Sequence, residues 1–348
     1  MSPGDGSESD GAYGPALGPR NRSQADPELS PNLSGLVRAL RLHPPQSQWT
    51  VLDHRVAFER ASERRKIAPG TEVMAVATSG GKAEWVRPAS SQGDEVVLYL
   101  HGGGFIMGSL ATTRPLASHL ASAIHRDVLV LEYGLAPESR FPVQISQIVD
   151  CYRWLLRNGY SADQIVLAGD SAGAALALSA CAQLRMTGID GPKAAVLLSP
   201  LLDMRLTAPS IDMCSHFDPQ TPRWLLDMMV TNYLGHQANR GDPLASPLLG
   251  ELGDLPPTLV QVAECESLVD DARDLQRRAL VSGSAVELQI WSGVIHVWHA
   301  FAPQLPEACE ALDAIGTWLD HLEPSSSRVD ALADRAQSDA EGSGLGKS

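Results

Sequence analysis

Ser171 stands between two glycines in Leu167-Ala168-Gly169-Asp170-Ser171-Ala172-Gly173, after the apolar run Ile165-Val166-Leu167 and before a stretch of alanines and leucines. A serine held at a sharp strand-to-helix turn presents its hydroxyl as a nucleophile, and flanking glycines let neighbouring backbone pass close to it. Gly-x-Ser-x-Gly alone also occurs in ordinary turns. The strand before it and the helix after it single out the Ser171 oxygen as a reacting atom. Upstream, Val96-Val97-Leu98-Tyr99-Leu100 reads as a buried strand, and His101-Gly102-Gly103-Gly104-Phe105 follows at once. Attack on an acyl carbonyl places negative charge on its oxygen. Preorganised backbone N–H groups aimed there contribute about 2.7–4 kcal/mol per donor. The N–H groups of Gly103, Gly104 and Ala172 are the candidates. The competing reading, a phosphate-cradling loop, calls for GxGxxG or GxxxxGK[ST], and neither is present.

A serine nucleophile of this kind needs an acid and then a histidine further along the chain, each just beyond a late strand. Thr258-Leu-Val-Gln-Val-Ala263 reads as one such strand, with Glu264, Glu266, Asp270 and Asp271 after it. Ala285-Val-Glu-Leu-Gln-Ile-Trp291 alternates with period two and reads as the next, with His296 and His299 beyond. His296 is the candidate general base, accepting the Ser171 proton and returning it to the leaving alcohol; His299 is the rival. Asp203, after the preceding strand, is a further candidate acid.

These motifs together resemble the hormone-sensitive-lipase-like family of α/β-hydrolase esterases, over most of residues 70–322. Besides the HGGGF and GDSAG runs, the resemblance rests on Tyr133 with Ala136-Pro137-Glu138 and Phe141-Pro142, and on Asp150. It extends to Ser199-Pro200-Leu201-Leu202-Asp203, Asp242-Pro243, Ser246-Pro247 and His296-Val297. The chain departs from the family pattern at Gly134, where an arginine is common, and at Val294-Ile295 before the histidine. The acid segment Glu264-Cys265-Glu266-Ser267-Leu268-Val269-Asp270 lacks the common D-P-L-x-D form. Aligning Leu268 and Asp270 with the leucine and last aspartate of that form puts Glu266 on the acid, as in some members. Asp270 then reads as the N-cap of a helix from Asp271 to Leu280.

The resemblance implies a serine carboxylesterase acting on short- to medium-chain or lipophilic small-molecule esters through an acyl-enzyme. It implies a mostly parallel sheet flanked by helices with a helical cap, no cofactor and no metal. Lactone hydrolysis, natural-product deacetylation and acyl transfer use the same groups. A non-catalytic ligand-binding module on this fold stands as the reading from another class. A homodimer through an edge strand or the cap rests on resemblance alone.

The elements that must position these groups alternate. A hairpin is expected from Glu72 to Ala77 and Lys82 to Arg87, turning at Ser79-Gly80-Gly81. Strands are expected near 96–100, 127–132, 164–168, 193–198, 258–263 and 285–290, with helices between them and Ala172 to Met186 directly after the serine. Such alternation builds a parallel sheet covered on both faces. Leu33, Leu36, Val37 and Leu40 fall on one helical face, a second helix is expected from Val51 to Ile67, and a last one from Glu307 to Leu322.

Residues 1–30 and 324–348, rich in Gly, Ser, Pro and charge, are expected to be disordered tails. The parts between are expected to be cap helices over 31–68 and a catalytic domain over 69–323. Residues 203–250 break the alternation and read as a helical cap insertion. Within the insertion Trp224 to Tyr233, Trp224 foremost, is expected to face substrate, together with Phe105, Ile106 and Met107.

The chain has 348 residues, 44% of them hydrophobic, and a net charge of −14. That size suits one large domain, and that charge disfavours a nucleic-acid surface. Arg64-Arg65-Lys66 is a short basic run that reads as a solvated helix face. Five scattered cysteines with no CxxC argue against a disulfide framework or zinc site and fit a reducing cytoplasm; Cys265 reads as a half-buried thiol. No run is long and apolar enough to read as a secretion signal or a membrane span, so neither secretion nor membrane attachment is expected.

Overall fold

The computed structural model describes residues 29–91, 94–235 and 239–322. Eight strands form one sheet: β1 (Glu72–Thr78), β2 (Gly81–Arg87), β3 (Val96–Leu100), β4 (Asp127–Leu131), β5 (Ile165–Asp170), β6 (Ala194–Leu198), β7 (Thr258–Ala263) and β8 (Val286–Trp291). Their order across the sheet is β1-β2-β4-β3-β5-β6-β7-β8. The β1–β2 and β2–β4 pairings are antiparallel, and every pairing from β4 through β3 to β8 is parallel. Thr78 pairs with Gly81, so the hairpin turn is Ser79-Gly80 and Gly81 already belongs to β2.

Central strands of a sheet covered on both faces read as continuous apolar runs, because neither face meets water. All five residues of β3 are buried. Val96, Leu98 and Leu100 enter one core, and Val97 and Tyr99 the other. The first core is closed by α4 (Val143–Arg157), α5 (Ala172–Met186) and α8 (Val269–Val281). The second is closed by α3 (Leu110–Ile124), α9 (Pro306–Asp320) and α1 (Pro31–Leu42). α1 docks through Leu33 and Val37, the face its spacing marks.

α2 runs over Val51–Ser62, opened by a reciprocal Thr50–Asp53 capping box, and ends five residues before the expected Ile67. Arg64 to Lys66 therefore lie beyond the helix, not on a solvated face of it. Asp270 is not the N-cap of α8: Leu268 takes that position, while Asp270 accepts the Ser210 N–H at 3.0 Å and pairs with Arg273 at 3.1 Å. Between β6 and β7 the chain forms the short α6 (Ser210–Met213) and α7 (Arg223–Leu234). The stretches expected to be disordered tails lie almost wholly outside the described residues. No helix among the described residues is long and apolar enough to cross a membrane.

Candidate active site

Parallel strands bring their carboxyl ends to one edge, where ligands of open α/β sheets bind. The turns after β3, β5, β7 and β8 carry His101–Phe105, Ser171, Glu266 and His296. A cavity of about 470 Å³ at this edge is lined by Gly103, Gly104, Ser171 and His296, among others.

Ser171 links β5 to α5 with φ 53° and ψ −115°, a strained conformation for a residue with a Cβ. Its N–H donates to Leu198 O at 2.8 Å. A Cβ on Gly173 would overlap Leu100 O, and one on Gly169 would press into Gly173. Both glycines of the motif are thus fixed by how closely α5 starts against β3 and β5.

Ala172, at the first position of α5, has no intrahelical acceptor for its N–H. Nor do the N–H groups of Gly103 and Gly104 meet an acceptor among the described residues. Gly103 and Gly104 have φ of 106° and 61°, so their backbone turns as an L side chain rarely allows. Asp170 holds the loop: its Oδ1 accepts the Tyr99 hydroxyl at 2.8 Å and the Gly102 N–H at 2.9 Å. His101 is buried and stacks on Tyr133 with centroids 4.2 Å apart; burial pushes its pKa down to about 4, which keeps it neutral.

His296 Nδ1 meets Glu266 Oε1 at 3.0 Å. Glu266 is fully buried, and its other oxygen accepts the Ser199 hydroxyl at 2.7 Å and the Ala263 N–H at 3.0 Å. Burial opposes the His296 imidazolium, yet Glu266, Asp218 and Asp170 together hold its pKa above the ordinary value. The carboxylate also fixes the tautomer that leaves Nε2 as the acceptor.

The other candidates lie elsewhere. His299 Nε2 contacts Gln261 Oε1 at 2.8 Å, and burial pushes its pKa down to about 3. Glu264 is exposed, and Asp203 pairs with Arg205 at 2.8 Å. The expected pocket residues need correction. Phe105 is fully buried and stacks on Tyr233 at 3.8 Å, outside the cavity wall. Trp224 does not line the cavity either; it packs near His54, with centroids 6.1 Å apart. α7 does face the cavity, through Leu225, Leu226 and Met229, and Met107 lines it as expected.

Three contributions escaped the sequence reading. Asp218, in the insertion, accepts the His296 N–H at 3.2 Å, and burial raises its pKa to about 6. Gln220 Nε2 donates to His296 O at 2.6 Å. Arg55 of α2 donates to Ile106 O at 2.6 Å and Ala136 O at 2.8 Å and pairs with Glu138 at 2.6 Å. No local pattern marks these residues, because their partners are distant in sequence. Cys265 Sγ donates to Cys214 Sγ at 3.4 Å, joining the acid loop to the insertion.

Comparison with known proteins agrees with this architecture. A family model described as alpha/beta hydrolase fold matches residues 97–300. An acetyl-hydrolase of Streptomyces hygroscopicus is 39% identical over 298 residues, covering 83% of this chain and 96% of that protein. An esterase of Acinetobacter venetianus is 33% identical, covering 73% and 84%. The crystal structure of an esterase from the bacterial hormone-sensitive lipase family superposes with a TM-score of 0.81 at 39% identity, covering 84% of this chain and 98% of that one. EstE5, in a crystal soaked with p-nitrophenyl butyrate, gives 0.79 at 36% identity, covering 83% and 97%. The chain belongs to the alpha/beta hydrolase fold family, among the hormone-sensitive-lipase-type carboxylic ester hydrolases.

Proposed function

We propose that Ser171, His296 and Glu266 act as nucleophile, general base and orienting acid in hydrolysing small-molecule esters. The observation that carries this reading is the contact of His296 Nδ1 with buried Glu266 at 3.0 Å, in a cavity that Ser171 and His296 both line. His296 Nε2 takes the Ser171 proton as the oxygen attacks the ester carbonyl. Negative charge develops on the carbonyl oxygen and is met by the N–H groups of Gly103, Gly104 and Ala172. The imidazolium, stabilised by Glu266, then protonates the departing alcohol. Water, deprotonated by the same imidazole, releases the acid and restores Ser171.

The wall contributed by Leu225, Leu226 and Met229 suits an apolar acyl or alcohol group of modest size. α1, α2 and the insertion act together as a cap. In support, Leu40, His54 and Leu225 line one cavity, and Arg41 of α1 donates to His216 O of the insertion at 3.0 Å. The test is hydrolysis of a chain-length series of p-nitrophenyl esters by the wild type and Ser171→Ala. Activity that peaks at short to medium acyl chains and vanishes in the variant is expected; hydrolysis retained by the pure variant overturns the assignment.

A further inference from the structure

Arg65 places a positive charge in the wall of the reaction cavity. It follows α2, and its N–H is tied to Ser62 O at 2.9 Å. Its guanidinium stacks over the Phe301 ring, with Cζ 5.0 Å from the centroid, and the side chain lines the cavity that Ser171 and His296 share. Among the described residues no carboxylate pairs with it and no carbonyl accepts from it. A guanidinium carries five N–H donors in a planar fork suited to a carboxylate. One that is half-buried, stacked on an aromatic ring and without an acceptor retains that binding capacity, and the stacking fixes its orientation.

The cavity holds one negative neighbour, Asp170, which bears on Arg65 electrostatically. Asp170 is already engaged by Tyr99 and Gly102, and burial disfavours its charged form. It therefore cancels the Arg65 field only in part. The rest of the lining is mostly apolar, where a charge-assisted hydrogen bond is stronger than in water.

We propose that Arg65 is a specificity-determining residue that recognises a carboxylate on the substrate, so that the enzyme prefers esters bearing an anionic group away from the scissile bond. The inference rests on the ester-hydrolase reading above and deepens it.

Two matched substrate pairs test it. p-Nitrophenyl valerate against mono-p-nitrophenyl glutarate places the carboxylate on the acyl side. Phenyl acetate against 3-acetoxybenzoate places it on the alcohol side. The readout is the ratio of kcat/KM for the anionic and neutral members of each pair. In Arg65→Met this ratio is expected to fall about tenfold or more in at least one pair, with Arg65→Lys retaining part of it. Ratios unchanged in both pairs overturn the proposal and leave Arg65 a packing partner of Phe301.

Should Arg65→Met fail to fold, the wild type decides through salt. The preference for the anionic member falls from low to high ionic strength if a charge contact underlies it, and stays constant if none does. A readout without turnover separates this proposal from the hydrolase assignment. Calorimetric binding of monomethyl glutarate and of benzoate to Ser171→Ala should be detectable for at least one ligand and lost on adding Arg65→Met. Loss of that binding with no esterase activity in the wild type would indict the nucleophile assignment and not Arg65. Serine-dependent hydrolysis with binding indifferent to Arg65 would do the reverse.

Discussion

The hydroxyl of Ser199 donates to Glu266 Oε2 at 2.7 Å while accepting the Val297 N–H at 3.0 Å. One side chain at the end of β6 therefore ties the acid loop to the histidine loop. Ser199→Ala removes a hydrogen bond to a buried carboxylate, an interaction of roughly 1.5–3 kcal/mol. The expected result is a fall in kcat of about tenfold or more with KM little changed, read from steady-state hydrolysis of p-nitrophenyl butyrate.

Glu266→Gln tests the acid and predicts a pH signature. The neutral amide cannot stabilise the imidazolium or enforce its tautomer, so kcat should fall by about 10³–10⁴-fold. Glu266 is among the groups that raise the His296 pKa, so its removal lowers that pKa. The acid limb of the kcat/KM profile should sit above the ordinary imidazole value of about 6.5 in the wild type and move to lower pH in the variant. Near-normal turnover in Glu266→Gln would hand the role to another carboxylate.

Gly103→Ala probes the loop after β3. Its φ of 106° disfavours any L side chain, and the added Cβ would overlap Met107 O, which is backbone and cannot swing away. The N–H groups of the loop must then turn. A loss of about 10²-fold or more in kcat is expected, as for removal of one oxyanion donor. A fall in Tm should accompany it.

Met229→Ala enlarges the cavity beside Gly104. Met229 is nearly fully buried and lines the cavity, so the truncation should cost about 2–5 kcal/mol of stability. It should also move the acyl-chain optimum toward longer esters, measured on the p-nitrophenyl series. An unchanged optimum would remove α7 from the substrate-contacting wall.

Asp271 supplies a stability test that is independent of catalysis. Its carboxyl is buried, and its Oδ2 accepts the N–H groups of Leu202 at 2.8 Å and Asp203 at 3.0 Å. Burial outweighs those bonds and raises its pKa to about 7, against 3.8 when unburied. Between those values the folded state binds more protons than the unfolded one, so this group's contribution to stability falls as pH rises through the window. Asp271→Asn keeps one carbonyl oxygen for the two N–H groups and does not titrate. Its stability relative to wild type should improve from pH 4 to pH 8, by at most about 4 kcal/mol. Chemical denaturation at the two pH values reads the difference.

The sheet was legible because its strands are apolar runs of the right length between helical stretches. All eight strands begin within one residue of the expected position, and β5–α5 could be read from Gly169 to Gly173 together with the apolar run before it and the alanine-rich run after it. Ser171 and His296 were nominated by chain order and by the strands they follow, whereas Glu266 was chosen over Glu264, Asp270 and Asp203 only through the form of the family's acid segment. Phe105 and Trp224 were misplaced because apolarity tells that a side chain is buried, not whether a core or a cavity receives it. Asp270 has the right chemistry for a cap, but the turn from Glu266 to Leu268 starts α8 two residues earlier. Arg65 was read as solvated because a basic run marks a surface only when the helix continues through it, and α2 ends at Ser62. Asp218 and Gln220 had no signal at all, since their partner lies 78 and 76 residues away.

Those last two residues grip His296 by its main chain from both sides, Asp218 at the N–H and Gln220 at the carbonyl. The segment between β6 and β7, which supplies α7 to the cavity wall, thus also holds the main chain of the proposed proton carrier. Exchange of this segment between relatives to alter selectivity would bring a new grip on His296 along with a new cavity wall. A graft that leaves out the Asp218 and Gln220 contacts should yield a protein that still binds its ester and turns it over slowly.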